Sequence, residues 1–166
     1  MIEIRPFQTR DQPGVLELIL YIQREEFGLP ITAGQQPDLH TIPTFYQQGK
    51  GEFLVAVSNN QIVGTAALKD IGNDYAALRK MFVAEPFRGG EYRLGARLLS
   101  ELLTHASDRG LFKIFLGTTE KFLAAHRFYE KHGFRQIAPQ ELPSAFPRMN
   151  VDNRFYVRRL HQPTTP

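Results

Sequence analysis

Between Tyr75 and Gly110 the chain passes from strand to glycine-rich loop to helix, and this succession limits the fold more than any other stretch. Ala77 to Val83 reads as a strand and Glu85-Pro86 as a turn. Phe87-Arg88-Gly89-Gly90-Glu91-Tyr92-Arg93 is a basic loop. Beyond it Gly95, Leu98, Leu99, Leu102, Leu103 and Ala106 fall on one helical face, with Arg93, Arg97, Ser100, Glu101 and Asp108 elsewhere and Gly110 as the stop. A loop that delivers backbone N–H groups to a helix N-terminus favours anions, because the amides and the helix dipole act together. Glycine lets the backbone approach a phosphate closely, and Arg88 and Arg93 add fork-shaped donors. The residues alone suit a pyrophosphate cradle; a plain surface connection is the competing reading.

Elsewhere the pattern alternates between the same two periods. Ile2 and Ile4 alternate with Glu3 and Arg5 as in a short strand, and Val15, Leu18, Ile19 and Ile22 form a helical stripe capped at Thr9 or Asp11. Gly28, Pro30, Gly34 and Pro37 mark a loop, followed by a short helix within Asp38 to Gln48 that Pro43 interrupts. Glu52–Val57 and Gln61–Leu68 are strands joined at Asn59-Asn60, residues that tolerate the positive φ of a tight hairpin. Leu111–Leu116 is a strand, Glu120–His132 a helix, Phe134–Ile137 a strand, and Arg154–Leu160 a closing strand after an irregular proline-containing stretch. The order β-α-α-β-β-β-α-β-α-β-β predicts a mixed α/β (α+β) fold. Its central sheet is mostly antiparallel, with one right-handed parallel crossover and helices on both faces. Ligands in such sheets sit at strand carboxyl ends where the order switches, which puts the Arg88–Gly95 loop at the ligand. Residues 1–160 are expected to form a single domain and 161–166 a frayed tail.

At 166 residues the chain can bury a full core without a staple, and with no cysteine it has neither disulfides nor thiolate chemistry. The histidines have no metal-ligand spacing, so no metal is expected. There is no signal-peptide pattern and no apolar run near the ~18 residues of a membrane span. The expected location is cytoplasmic, with no membrane partner. A net charge of +3 suits an anionic ligand. Phenylalanines interleave with basic residues between Phe112 and Phe134, but their period fits core packing better than a nucleic-acid surface, so no nucleic acid is expected.

Two motifs resemble the GNAT (Gcn5-related) N-acetyltransferase family, and the likeness runs from Ile2 to about Tyr156. The first is Leu78-Arg79-Lys80-Met81-Phe82-Val83-Ala84-Glu85-Pro86-Phe87-Arg88-Gly89 with Leu94-Gly95-Ala96-Arg97-Leu98-Leu99. The second is Ala125-His126-Arg127-Phe128-Tyr129-Glu130-Lys131-His132-Gly133-Phe134. The resemblance implies the acyl-CoA N-acyltransferase fold, with its parallel crossover near the coenzyme A site, and acetyl-CoA as donor. It implies that the backbone of Met81, Phe82 and Val83 pairs with the pantetheine arm. The pyrophosphate then lies within Arg88, Gly89, Gly90, Glu91, Tyr92, Arg93, Leu94, Gly95 and Ala96. Phe122, Ala125 and Phe128 line the thiol end, and Tyr129 is the general acid. The chain departs from the family pattern where Gly90 replaces Arg or Gln, Arg93 a glycine, Ala77 a glutamate and Phe122 an asparagine.

Transfer to an amine needs a neutral nucleophile, a stabilised oxyanion and a proton for the leaving thiolate. Tyr129 can supply that proton; an amphipathic core tyrosine is the bland reading. For the base, Glu25, Glu26, Asp38 and His40 lie on the acceptor side, with Glu26 preferred; each is also of the type that normally sits solvated at a surface. Glu25 and Phe27 are expected to contact an acceptor amine, of a small molecule or a peptide. The expectation is an acetyl-CoA-dependent N-acetyltransferase working by direct attack. A non-catalytic acyl-CoA-binding or sensory domain is the alternative, and the resemblance also allows a homodimer.

Overall fold

The computed structural model describes residues 1–120 and 122–160; the tail expected at 161–166 lies outside the described residues. Its elements are β1 (Ile2–Pro6), α1 (Gln12–Tyr21), α2 (Ile42–Phe45), β2 (Glu52–Ser58), β3 (Gln61–Gly72), β4 (Tyr75–Val83), α3 (Leu94–Asp108), β5 (Lys113–Thr118), α4 (Leu123–Lys131), β6 (Arg135–Ile137) and β7 (Arg154–Arg159). The strands form one seven-stranded sheet in the order β1-β2-β3-β4-β5-β7-β6. All neighbours are antiparallel except β4 and β5. The expected order of elements and the lone parallel pair are both present.

The hairpin turns follow from their residues. Asn59 and Asn60 take φ of 50° and 63°, and Asn73 and Asp74 take 57° and 60°, the left-handed pairs that match strand twist. The two sheet faces bury different helices. Leu94, Leu98, Leu99, Leu102 and Ala106 of α3 pack on Ala56, Ala66 and Leu78. On the other face Val15 and Ile19 of α1, with Leu39, Ile42 and Tyr46, pack on Phe53, Val55 and Ala67. A third cluster, Phe115, Ile137, Phe155 and Val157, lies under Leu142 and Phe146 of the loop from β6 to β7.

The parallel pair is short. Only Tyr75–Ala77 of β4 align with Lys113–Phe115 of β5, after which the strands part. From Leu78 to Val83, β4 has β3 on one side and, among the described residues, no strand on the other. The parting coincides with a bulge. The β3–β4 register slips between Thr65 and Ala67, Lys80 takes φ of 55°, and the Thr65 hydroxyl donates to the Lys80 carbonyl at 2.7 Å. An extra residue on one strand bends it and sharpens its twist, which carries β4 away from β5 and opens a wedge at its carboxyl end.

Two boundaries differ from the sequence expectation. The helix expected from Glu120 begins at Leu123, because the Asn153 side chain accepts from the Glu120 amide at 2.8 Å and ties it to the approach to β7. The helix expected within Asp38 to Gln48 is a 3-10 turn at Pro37–His40 followed by the single turn of α2.

Gly64 sets the depth of α3 on the sheet. A Cβ there would lie 2.9 Å from Leu98 Cδ1, 3.2 Å from Leu94 Cδ2 and 3.3 Å from the Ala56 Cβ. Gly64→Val is expected to cost about 1–3 kcal/mol through overpacking, read as a lower urea midpoint with an unchanged slope.

Candidate functional site

The wedge between β4 and β5 brings together residues from four elements. After β4 the chain makes a single 3-10 turn (Glu85–Phe87) and enters the loop. Gly89, Gly90 and Arg93 all take left-handed φ, at 60°, 54° and 45°. Arg93 therefore occupies the backbone conformation that glycine serves at that place in the family pattern. Its amide bonds back to the Gly89 carbonyl at 3.1 Å, and its carbonyl accepts the Arg97 amide at 3.0 Å to start α3. Among the described residues the amides of Gly89, Gly90, Glu91, Tyr92, Leu94, Gly95 and Ala96 find no protein acceptor. A Cβ at Gly89 or Gly90 would meet nothing within 4 Å, so the ground above these amides is open. Open N–H groups at the positive end of a long helix fit an anionic pyrophosphate.

The first turn of α3 meets α4 and β4 at one point. A Cβ on Gly95 would lie 3.5 Å from Phe128 Cε1 and 3.8 Å from Met81 Cε, so glycine lets the three elements close together. The unpaired edge of Met81–Val83 adjoins this junction. Ala125 and Phe128 lie on α4, and Phe122 is its N-cap residue. The Phe122 ring, expected at the cofactor, lies 4.4 Å from that of Phe27, expected at the acceptor.

Tyr129 is half-buried, its ring 5.5 Å from Phe128 and 5.7 Å from Phe134. Its hydroxyl has no hydrogen-bond partner among the described residues. Burial raises its phenol above the ordinary value, which keeps it protonated and able to donate.

On the acceptor side the expected residues have separate fates. Ile22–Glu26 is a π-helical turn, closed by the Phe27 amide on the Ile22 carbonyl at 3.0 Å. It carries Glu26 to Arg88, which binds it through both guanidinium nitrogens at 2.7 and 3.0 Å and donates Nε to the Val83 carbonyl at 2.7 Å. Arg88 thus ties the end of β4 to the end of the first helix, with its guanidinium facing Glu26. Both carboxylate oxygens of Glu26 are engaged. Glu25 is exposed, and Phe27 is exposed beside Phe122. His40 is exposed and its Nε2 lies 3.1 Å from the Ala33 carbonyl. Asp38 is buried and accepts the Tyr46 hydroxyl at 2.5 Å.

The structure adds residues that the sequence reading passed over. Arg79 and Lys80 both point to the α1–α2 face of β4, toward the same oxygen of Asp38. The visible signal was a basic pair inside an otherwise apolar strand. Asp152, from the loop before β7, lies against β5: a Cβ on Gly117 would fall 2.5 Å from its carboxylate. Burial pushes the Asp152 carboxyl above the ordinary carboxylate range, against the pull of Arg79, Arg148 and Lys80. Its hydrogen bond is local, from the Met149 amide at 3.1 Å, but Arg79 and Lys80 reach it from β4, which the neighbouring sequence does not show. Among the described residues no group of three His, Cys, Asp or Glu side chains is placed to hold a metal ion. None of the described helices is long and apolar enough to cross a membrane.

Known proteins share this arrangement. Residues 16–134 match the family described as Acetyltransferase (GNAT) family. The chain belongs to the GNAT acetyltransferase family. An acetyltransferase of that family from Staphylococcus aureus Mu50 has a TM-score of 0.92 at 39% identity, covering 97% of this chain and 100% of its own. An acetyltransferase from Streptococcus agalactiae 2603 has a TM-score of 0.91 at 34% identity, covering 96% and 98%. Among curated relatives, a Xenopus tropicalis protein named N-acetylaspartate synthetase is 34% identical over 155 residues, 89% of this chain and 55% of its own. The chain spans about half the length of the curated relatives it matches first, 37 to 55%. The architecture, with its mostly antiparallel sheet and split parallel pair, is the GNAT fold.

The raised carboxyl of Asp152 has a measurable consequence. Below the ordinary aspartate value of 3.8 both the folded and the unfolded chain carry its proton, so the group is neutral in both. As pH rises past that value the unfolded chain ionises more readily, and the folded state bears a cost. Asp152→Asn is therefore expected to melt higher than the wild type at pH 7, with the difference fading as pH falls below about 4.

Proposed function

We propose that the chain is an acetyl-CoA-dependent N-acetyltransferase that moves an acetyl group to the primary amine of a small molecule or peptide by direct attack. The observation that carries this reading is the row of open amides over Gly89–Ala96, set beside an unpaired strand edge at Met81–Val83. An extended amide-bearing chain ending in a pyrophosphate matches both. Membership in the GNAT family supports it, and the name of the Xenopus relative supports nitrogen as the acceptor atom.

Acetyl-CoA, when bound, supplies the acetyl thioester. The loop amides hold its pyrophosphate, and the edge of β4 pairs with the arm between phosphate and thiol. Phe27 and Phe122 close over the wedge and keep water from it. Asp152 accepts the proton that the ammonium sheds before the nitrogen–carbon bond forms. A carboxylate whose pKa burial has raised is a better base than a solvated one. Strand amides near Phe82 and Val83 stabilise negative charge on the carbonyl oxygen. Tyr129 gives its proton to sulfur as the carbon–sulfur bond breaks, its raised pKa ensuring that the proton is present, and the second proton leaving the nitrogen restores the phenol through solvent. Glu26, bound on both oxygens, holds Arg88 and through it the end of β4.

Two variants test this division of labour with a thiol-release assay on an amine panel and calorimetry for coenzyme A. Tyr129→Phe should lower kcat by about 100-fold while the coenzyme A dissociation constant stays the same. Wild-type turnover in that variant would remove Tyr129 from the mechanism. Asp152→Asn should lower kcat and abolish the rise of rate with pH through the raised carboxyl pKa, because the group that must lose its proton is gone. An unaltered pH profile would reassign the base.

A further inference from the structure

We propose, building on the acetyl-transfer reading above, that the acceptor is an amino acid with a free carboxylate and that Arg79 receives that carboxylate. The inference comes from an imbalance of charge and of hydrogen bonds on the α1–α2 face of β4. Two cations stand there side by side with little solvent: the Arg79 side chain is 13% exposed and that of Lys80 6%. Between them lies one carboxylate, Asp38, at 4.0 Å from Arg79 and 3.6 Å from Lys80. Both separations exceed hydrogen-bond length, and the short bond to Asp38 comes from the Tyr46 hydroxyl at 2.5 Å.

Lys80 has a second partner, the Gln36 side-chain oxygen at 2.8 Å, and Gln36 is fixed by a reciprocal pair of bonds with Gln23 at 2.9 and 3.0 Å. Among the described residues Arg79 has no such partner. The contacts of its guanidinium are the Met149 sulfur at 3.5 Å, the Phe45 ring at 5.6 Å and the distant Asp38. A guanidinium carries five donors in a planar fork, and a thioether is a weak acceptor. The Arg79 donors that no protein oxygen takes stay within reach of water, and an incoming ligand can replace that water and complete them. A planar acid group is the partner whose two oxygens match the fork.

The surroundings do not supply that acid. Arg148 adds a third positive charge, its guanidinium 4.9 Å from the Phe155 ring, against the two carboxylates Asp38 and Asp152. The site is one positive charge in excess, and the excess lies on the group without an oxygen partner. Asp152 stands on the β5 side of the wedge and Arg79 on the β4 side. A zwitterionic amino acid brings an ammonium for the first and a carboxylate for the second. A peptide N-terminus offers only the ammonium, since the neighbouring carbonyl is an amide. A simple cationic amine would add charge to a site already positive.

The test compares matched acceptors, amino acids against their own carboxamides (glycine, alanine, aspartate and glutamate), by thiol release and by calorimetric binding in the presence of coenzyme A. The wild type should favour acid over amide by about 10- to 100-fold in kcat/KM, the range for a hydrogen-bonded charge. Arg79→Met, which keeps length and loses the fork, should bring that ratio close to one by raising KM for the acid alone. Arg79→Lys should recover part of the preference, and coenzyme A affinity should not change in either. The wild-type comparison decides even if Arg79→Met does not fold. Equal or better use of amides or plain amines overturns the carboxylate site while acetyl transfer stands. Arg79-dependent binding of amino acids without thiol release from any amine keeps the carboxylate site and overturns acetyl transfer. Neither binding nor release overturns both.

Discussion

A single hydrogen bond, from the Thr65 hydroxyl to the Lys80 carbonyl, holds the one residue in β4 whose backbone departs from the strand. A lysine at φ of 55° costs on the order of 1–3 kcal/mol. The bulge it makes has three effects at once. It ends the pairing of β4 with β5, leaving a free edge on Met81–Val83. It keeps Met81 and Val83 on the α3 side and Phe82 on the α1 side, so the strand still closes both cores. It also turns Lys80 inward, where Gln36 and Asp38 compensate part of the cost. Without the bulge the parallel pair could run on, the wedge would close, and α3 would present its amides to a continuous sheet.

How far the sequence reveals such a site depends on how local the cause is. The Asn-Asn hairpin, the glycine stop of α3 and the apolar stripe on its inner face are set by neighbouring residues, and the chain shows them plainly. The loop was half legible. Its glycines and its place before a helix announced an anion site. Arg93 looked like a break in the pattern until its left-handed backbone showed an arginine performing a glycine's turn. The acceptor side was hidden because every part of it is tertiary. Asp152 follows Arg79 by more than seventy positions, and only the sheet order brings them to one opening. Glu26 was legible as an acid on the right segment. Its binding to Arg88 depends on a π turn that no residue type in Ile22–Glu26 dictates.

Arg79 and Arg88 show why residue type alone is a poor guide to charge. Arg79 sits in the middle of β4 and Arg88 five residues past its end, and both resemble anion ligands. Arg88 is exposed and has a carboxylate on its fork and a carbonyl on its Nε. Three of its donors are taken by protein oxygens, and these bonds fasten the end of β4 to the end of the first helix. Arg79 is covered and has sulfur, a ring face and a distant acid. Between Phe45 and Met149 the Arg79 fork keeps donors that water reaches and that a ligand's oxygens can take over.

The same reasoning ties the groups to one another. Asp152 is held above its ordinary pKa by burial even though three cations pull it down, so its desolvation outweighs their attraction. Lys80 is lowered by burial in spite of Asp38. Two groups of opposite charge, each biased toward its neutral form, indicate that this end of the wedge is poor in water and that its charges do not fully pair among themselves. A core selected for stability alone would replace such a set with apolar side chains at a gain. The charges persist where an incoming molecule supplies the missing partners. The signs left over, a cation with donors to spare on one wall and an acid inclined to hold a proton on the other, are what leads to the proposal of an acceptor that is both an acid and an amine.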